Sequence, residues 1–206
     1  MKYLQRLLSM LPLLAFSSSS LYAAATIQTV YHSIDKLQAP AHSSQRIHNQ
    51  FGEKPRLPKN GIMCSFTVAR AQPRKEVVLD FCVQEKKDLV TQWRITLGGQ
   101  QDRGGSEPYK VYSSIEHLAP NTGSVIERHE VEHTAGTPLI KENHSFHLMF
   151  KLASNTLEVK VFEAGAKQPL LAKTFTEVPA RTYYLVPASG NSAVTYQNVI
   201  LRKLAP

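Results

Sequence analysis

The sequence predicts an all-β protein in which two antiparallel sheets pack face to face as a β-sandwich. From Gly61 onward, short runs rich in β-branched and aromatic residues alternate with turn residues at regular spacing. Many short strands at such spacing are typical of a sandwich or barrel, whereas βαβ units would place helical patterns between the strands. The predicted strands are residues 62–70, 76–84, 89–97, 109–117, 125–133, 145–152, 156–163, 170–175, 182–188 and 194–204.

Apolar and polar side chains alternate within several of these runs. Phe146, Leu148 and Phe150 share one face of their predicted strand, and polar or flexible residues take the other. Residues 157–161 alternate in the same way, and only the short polar segment 153–155 separates the two runs. Because a period of two is that of a half-buried strand, this region is predicted to form a β-hairpin.

The N-terminus has the three parts of an export signal. A short basic region precedes an apolar run at residues 7–16, and Ala23-Ala24-Ala25 supplies an A-x-A cleavage site. Residues 1–25 are therefore predicted to be a signal peptide that is cleaved before Thr26. The apolar run is too short to span a bilayer, so no membrane span is expected. The mature protein is predicted to be secreted or periplasmic.

The remaining chain divides by composition. Residues 26–60 are rich in Gln, His, Ser and Pro and have little periodicity, which predicts an N-terminal extended segment. Within it, residues 30–37 form either a first strand or a short helix that docks on the domain. Residues 61–206 are predicted to form one β-sandwich domain, a length sufficient for a two-layer core.

The chain is moderately basic. Its formal charge of +8 falls to +6 when Lys2 and Arg6 leave with the signal peptide. This excess favours anionic glycans or a membrane surface as partners, or it serves solubility alone. Without a basic stripe or an aromatic RNA-binding pattern, no nucleic-acid partner is predicted.

The two cysteines of an exported chain predict one disulfide, between Cys64 and Cys82. They lie in consecutive predicted strands, and a hairpin centred near Pro73 would place them opposite each other. The same register pairs Phe66 with Asp80. The apolar faces of the two strands therefore match only if a bulge intervenes or both faces are buried.

A literal H-E-x-x-H pattern occurs at residues 129–133. On a helix, His129 and His133 would lie one turn apart and hold Zn²⁺, with Glu130 as the general base. Leu139 occupies the position of the third histidine of metzincins, however, and Glu132 adds a charge inside the motif. In these β-rich surroundings the pattern is better explained as a charged edge strand, so no metal or catalytic residue is predicted.

Several histidine and aromatic residues are further candidates for binding groups. His117, His144 and His147 occupy neighbouring runs and would suit a surface metal site, although histidines on solvated strand faces are the more common case. Trp93 shares its predicted face with Ile95 and Leu97, which indicates a core residue. The better surface candidates are Tyr109, Tyr112, Tyr183 and Tyr184.

The C-terminal part resembles the end of concanavalin A-like jelly rolls, the class that includes laminin-G, legume-lectin and glucanase domains. The resemblance covers residues 143–204. It comprises the hairpin HSFHLMFKLASNTLEVKVFE, the turn at residues 189–192 and a last strand TYQNVILRKL, in which Tyr196, Asn198 and Leu201 fill the expected places. It implies a jelly-roll sandwich. The E-x-D-x-E strand of the glucanases is absent, and the calcium ligands of legume lectins have no counterpart, so it implies no catalytic residue and no cofactor.

These observations predict an exported, non-enzymatic binding module that recognises a glycan or a protein surface. The alternative is an exported hydrolase, either a zinc metallopeptidase using His129, Glu130 and His133 or a glycan-active enzyme.

Overall fold

The structure is a computed structural model that describes residues 27–39, 60–72, 76–85, 88–179, 181–188 and 193–204. Within these ranges the regular structure is entirely β, with no helix and therefore none long and apolar enough to cross a membrane. The strands are β1 (Ile27–Ala39), β2 (Gly61–Gln72), β3 (Val77–Glu85), β4 (Asp88–Gln101), β5 (Lys110–Leu118), β6 (Val125–Glu132), β7 (His144–Ala153), β8 (Thr156–Glu163), β9 (Leu171–Phe175), β10 (Tyr183–Ala188) and β11 (Ala193–Leu204).

The strands form two antiparallel sheets. The six-stranded sheet has the order β1-β11-β2-β7-β8-β9, and the five-stranded sheet has the order β10-β3-β4-β5-β6. In the five-stranded sheet, β3 to β6 pair in sequence order as a meander, and β10 pairs with β3 at one edge. The predicted fold class, an all-β antiparallel sandwich, is confirmed.

The core lies between the two sheets and is built by the predicted alternation. Phe146, Leu148 and Phe150 of β7 are at most 1% exposed. Phe81 from the opposite sheet stacks on Phe150 with ring centroids 3.9 Å apart, an arrangement that adds about 0.5–1.5 kcal/mol to the burial of the two rings. Trp93 is fully buried, which confirms its assignment to the core.

The predicted β7–β8 hairpin is also confirmed. Ala153 pairs with Thr156, so only Ser154 and Asn155 connect the strands. Ser154 has a φ of 54°, a conformation that two-residue hairpin turns require because it matches the right-handed twist of the strands.

Residues 27–39 are a strand, so the strand alternative for residues 30–37 is the one the structure contains. This strand, β1, pairs along its length with β11 and forms one edge of the six-stranded sheet. The predicted signal peptide and the segment 40–59 lie outside the described residues.

The predicted hairpin between β2 and β3 is wrong. β2 pairs with β11 and β7, and β3 pairs with β10 and β4 in the other sheet. The predicted register paired Phe66 with Asp80 because it placed β2 and β3 in one sheet. The two strands belong to opposite sheets, and each directs its apolar face into the core from its own side.

The structure accordingly does not contain the predicted disulfide. Neither Cys64 nor Cys82 forms a disulfide, and both side chains are buried. Cys64 belongs to the core, whereas Cys82 alternates with the core residue Phe81 and lies on the outer face of its sheet. The Cys82 Sγ atom instead lies 3.6 Å from the Thr91 hydroxyl. Burial raises the pKa of Cys64 to about 12, so its thiol stays protonated in the folded chain.

Candidate functional site

The H-E-x-x-H residues lie on a strand and at its end, not on a helix. β6 covers residues 125–132, and it is an edge strand of the five-stranded sheet. His129 and His133 are four residues apart, so their Cα atoms are separated by about 13 Å in an extended strand. His133 bonds through Nε2 to the hydroxyl of Ser113 at 2.8 Å, while Glu130, on the other face, pairs with Lys110 and Arg128. The zinc hypothesis required a helix here, and that premise is wrong.

The other histidines do not converge either. His117 stacks on Trp93 with ring centroids 5.2 Å apart. His144 lies against Phe146 on the core side of β7, and His147 occupies the outer face of the same strand. Among the residues that the structure describes, no group of three or more His, Cys, Asp or Glu side chains is placed to hold a metal ion.

Only some of the tyrosine candidates are at the surface. Tyr183 and Tyr184 are buried, at 2% and 4% exposure, so their prediction as surface residues is wrong. Tyr109 is partly exposed and donates a hydrogen bond to the Gly136 carbonyl at 2.8 Å. Tyr112 is partly exposed on the outer face of β5 and belongs to the site described next.

A row of alternating charges crosses the outer face of the five-stranded sheet. Asp80 pairs in register with Arg94, Arg94 with Glu116, and Glu116 with Arg128, on the adjacent strands β3, β4, β5 and β6. We call these four residues the charge ladder. Opposite charges directly across antiparallel strands stabilise the pairing by about 0.2–1 kcal/mol each.

The first pair of the charge ladder is bidentate. The Nε and NH2 groups of Arg94 donate to the two oxygens of Asp80 at 2.8 and 2.9 Å, and the Thr91 hydroxyl donates to the same carboxylate at 3.2 Å. The hydrogen bonds that Arg94 donates to Asp80 raise the pKa of Arg94, and the charge of Glu116 acts in the same direction. Asp80 is only 3% exposed, so these bonds fix the Arg94 guanidinium on the sheet.

The far end of the charge ladder is a small network on the edge strand. The Nε group of Arg128 lies 3.3 Å from Glu116, and its NH2 group pairs with Glu130. Lys110 pairs with the second oxygen of Glu130. These side chains are between 14% and 39% exposed, so they are accessible to a ligand while being held by their partners.

An aromatic ring lies beside this network. The guanidinium of Arg128 lies over the Tyr112 ring, 5.0 Å from its centroid. Tyr112 pairs with Gly99 on β4, where a Cβ atom would come within 2.5 Å of the ring. Glycine at position 99 therefore allows the tyrosine to lie close against the sheet.

Hydroxyl groups fill the row between the charges and the aromatic ring. Thr96, Ser114 and Glu130 pair across β4, β5 and β6 on this same outer face. Thr96 and Ser114 are buried, at 7% and 0% exposure, and lie beneath this surface. The side chains that are at least partly exposed form what we call the polar face, and they are Arg94, Glu116, Arg128, Glu130 and Tyr112. The guanidinium groups of Arg94 and Arg128 each use two of their five N–H donors in contacts with carboxylates. The remaining N–H donors are available to a ligand.

Sequence reasoning missed the charge ladder. Three of its four residues are single charges between uncharged neighbours that face the core, in Leu79-Asp80-Phe81, Trp93-Arg94-Ile95 and Ile115-Glu116-His117. The fourth, Arg128, stands between Glu127 and His129. One lone charge of this kind in each of three consecutive strands was the available signal, because alternation places all of them on the face opposite the core.

Comparisons with known proteins give matches among solved structures. No protein-family model matches the sequence, and no curated protein matches it. The structure is similar to sheep galectin-11 in complex with glycerol, with 15% identity over 76% of this chain and 98% of the galectin and a TM-score of 0.42. It is similar to a legume lectin-like domain from Entamoeba histolytica, with 7% identity over 83% of this chain and 91% of that domain and a TM-score of 0.48.

A third similar structure is β-fructofuranosidase from Schwanniomyces occidentalis complexed with fructosyl-erythritol. The identity is 11% over 87% of this chain, the TM-score is 0.47, and only 34% of the larger enzyme is covered. The three identities are at most 15%, and the three TM-scores are below 0.5. The three matches cover between 76% and 87% of this chain.

Proposed function

We propose that the protein is a non-enzymatic glycan-binding module and that its polar face binds a neutral saccharide. The observation that carries this proposal is the charge ladder. Its carboxylates and guanidinium groups are held in place by one another, so a ligand meets fixed donors and acceptors and little side-chain entropy is lost on binding. Sugars, with adjacent hydroxyl groups that both donate and accept, suit such an array.

The charges of the ladder favour an uncharged ligand. It contains two acids and two bases, and the Arg94–Asp80 and Arg128–Glu116 contacts already neutralise each charge locally. An anionic ligand would have to compete with these carboxylates for the same guanidinium groups. Tyr112 lies beside the ladder, between Gly99 and the guanidinium of Arg128, so its ring helps to hold Arg128 in position for a ligand.

A glycan is favoured over a protein as the ligand of this face. Protein interfaces are usually centred on large apolar or aromatic anchors. Among the described residues, the large hydrophobic side chains that are exposed are Val125 and Ile126, at 50% and 59%, at the beginning of β6. The polar face itself presents hydrogen-bonding groups.

The test is a binding screen with the purified protein against neutral and anionic oligosaccharides, followed by calorimetry on the best ligand. We expect Arg128→Ala to weaken binding about tenfold or more, because it removes donors and leaves Glu116 and Glu130 without their shared partner. Arg128→Lys should also bind weakly, since an ammonium group cannot reproduce the geometry of a guanidinium.

Lys151→Ala on the outer face of the other sheet is the matched control and should bind as the wild type does. Circular dichroism of each variant establishes that the sandwich is intact. Full affinity in a folded Arg128→Ala variant would contradict the proposed site. Mass spectrometry of the saccharide after prolonged incubation should find it unchanged, and a cleaved or modified product would contradict the non-enzymatic part of the proposal.

We further propose that the protein acts after export, in the extracellular space or the periplasm. The basic, apolar and A-x-A regions of residues 1–25 support this proposal. N-terminal sequencing of the protein isolated from outside the cytoplasm should begin at Thr26. Recovery of the uncleaved chain from the cytoplasm alone would refute it.

A further inference from the structure

The outer face of the six-stranded sheet differs from the polar face in its charge. Two neighbouring rows cross it in register. They consist of Ile200, Ser65, His147 and Phe162 in the first row and of Arg202, Met63, Met149 and Lys160 in the second. All of these side chains are partly exposed. We call this surface the basic face, because cations stand at both ends of the second row.

A directed chain of hydrogen bonds connects the two rows. The NH1 group of Arg202 donates to the Ser65 hydroxyl oxygen at 3.3 Å, and this oxygen lies 2.9 Å from Nδ1 of His147. A guanidinium only donates, so the Ser65 proton is free to be donated to Nδ1. His147 is then neutral and carries its own proton on Nε2, as a further donor beside Arg202.

This arrangement has no counter-ion. Within the described part of the chain, no carboxylate pairs with Arg202 or with His147. On the neighbouring strand β8, Glu158 pairs with Lys160, and Glu163 lies 3.9 Å from His144 on the core side. On the polar face, by contrast, each guanidinium contacts a carboxylate.

We propose that the basic face binds an oxyanion of the phosphate or sulfate type, held jointly by Arg202 and His147 through the position that Ser65 fixes for both. The oxyanion would accept from the guanidinium and from Nε2–H of His147. Met63 and Met149 lie beside the site, so they can contact the apolar part of an esterified phosphate or sulfate. The site is on the opposite side of the sandwich from the glycan site and does not depend on it.

Binding at this site must be coupled to the protonation of His147. Burial and the charge of Arg202 both lower the pKa of His147 from its usual value of 6.5. The charged groups of the neighbouring strands on this face are Arg202 on β11, Lys151 on β7, and Lys160 with its partner Glu158 on β8. An oxyanion stabilises the imidazolium, so it should raise the pKa of His147, and its affinity should increase as the pH falls below 6.5.

The test follows the imidazole signals of the purified protein by nuclear magnetic resonance during titration with sodium sulfate, which keeps its charge across this pH range. We expect the pKa of His147 to rise on saturation, while His117 and His133, on the other sheet, do not change. Arg202→Gln should weaken sulfate binding at least tenfold. His147→Gln should bind weakly and lose the pH dependence, and Arg103→Gln, in the exposed loop between β4 and β5 of the other sheet, should bind as the wild type.

Two further probes identify the source of the oxyanion. Inorganic phosphate represents a free anion, and vesicles of phosphatidylglycerol, compared with phosphatidylcholine, represent a lipid headgroup. A response of His147 to sulfate or phosphate supports a site for free or esterified anions. A response to phosphatidylglycerol vesicles alone supports a headgroup site. The proposal is wrong if sulfate, phosphate and phosphatidylglycerol vesicles all leave the His147 signal unchanged. It is also wrong if the folded Arg202→Gln variant binds as tightly as the wild type.

Discussion

Replacement of Trp93 by alanine is expected to lower the free energy of unfolding by about 3–5 kcal/mol, the usual cost of removing a large aromatic side chain from a core. Trp93 is fully buried and lies where the two sheets meet. Its ring contacts Phe150 and Phe175 from the six-stranded sheet, at centroid distances of 6.3 and 6.2 Å, and Tyr183 and His117 from its own sheet, both at 5.2 Å. Alanine would leave all of these rings facing a cavity.

Trp93→Phe is the matched control. The indole Nε1–H of Trp93 is buried without a hydrogen-bond partner among the described residues, so phenylalanine gives up no hydrogen bond and retains most of the contact. Urea unfolding followed by circular dichroism should rank the wild type first, Trp93→Phe second and Trp93→Ala last. If Trp93→Ala lowered the free energy of unfolding by less than about 1 kcal/mol, the ring would not be packed between the two sheets.

The second large effect is expected at Gly61, the first residue of β2. Its φ is 104°, which side chains rarely allow, and a Cβ atom would lie 1.9 Å from the carbonyl oxygen of Phe150 on the paired strand β7. Neither backbone can give way without disrupting the pairing of β2 with β7. We therefore expect Gly61→Ala to destabilise the protein by about 3 kcal/mol or more, from backbone strain and steric overlap together.

Gly105 provides the comparison for this effect. It also has a positive φ, of 63°, but nothing lies within 4 Å of the position of its Cβ atom. Gly105→Ala should lower the free energy of unfolding by only about 1 kcal/mol, because only the left-handed conformation is unfavourable for alanine there. Equal unfolding free energies for the two variants would show that the close contact with Phe150 is not maintained.

The positions of the strands could be predicted from the sequence, whereas their partners could not. Alternation at Phe146, Leu148 and Phe150 follows from local burial on one face, and so the β7–β8 hairpin was correctly predicted. The pairing of β2 was not, because its partners are β11 and β7, distant in sequence. A short connection between β2 and β3 favoured a hairpin. In the structure, the apolar faces of β2 and β3 are buried in the same core because the two strands belong to different sheets.

The candidate site shows the same division. That Asp80, Arg94 and Glu116 lie outside the core follows from their apolar neighbours in sequence. Their alignment into a ladder depends on register, and β4 carries bulges or irregularities against both β3 and β5. A shift of one residue would turn each charge towards the core, and nothing in the separate strands specifies the displacement of a bulge. The residues of the H-E-x-x-H pattern are contiguous in sequence, so the pattern is visible there. The residues of the charge ladder are contiguous only in space.

The position of β11 between β1 and β2 also determines when the six-stranded sheet can form. β11 separates β1 from β2 and is hydrogen-bonded to both, so residues 193–204 hold residues 27–39 in the sheet. Closing this sheet requires contacts that span nearly the whole described chain, which makes the step slow. A nascent chain that ends before residue 204 leaves β1 without its partner and one side of β2 open. The six-stranded sheet can therefore close only after residues 193–204 have been synthesised, however early β1 has left the ribosome.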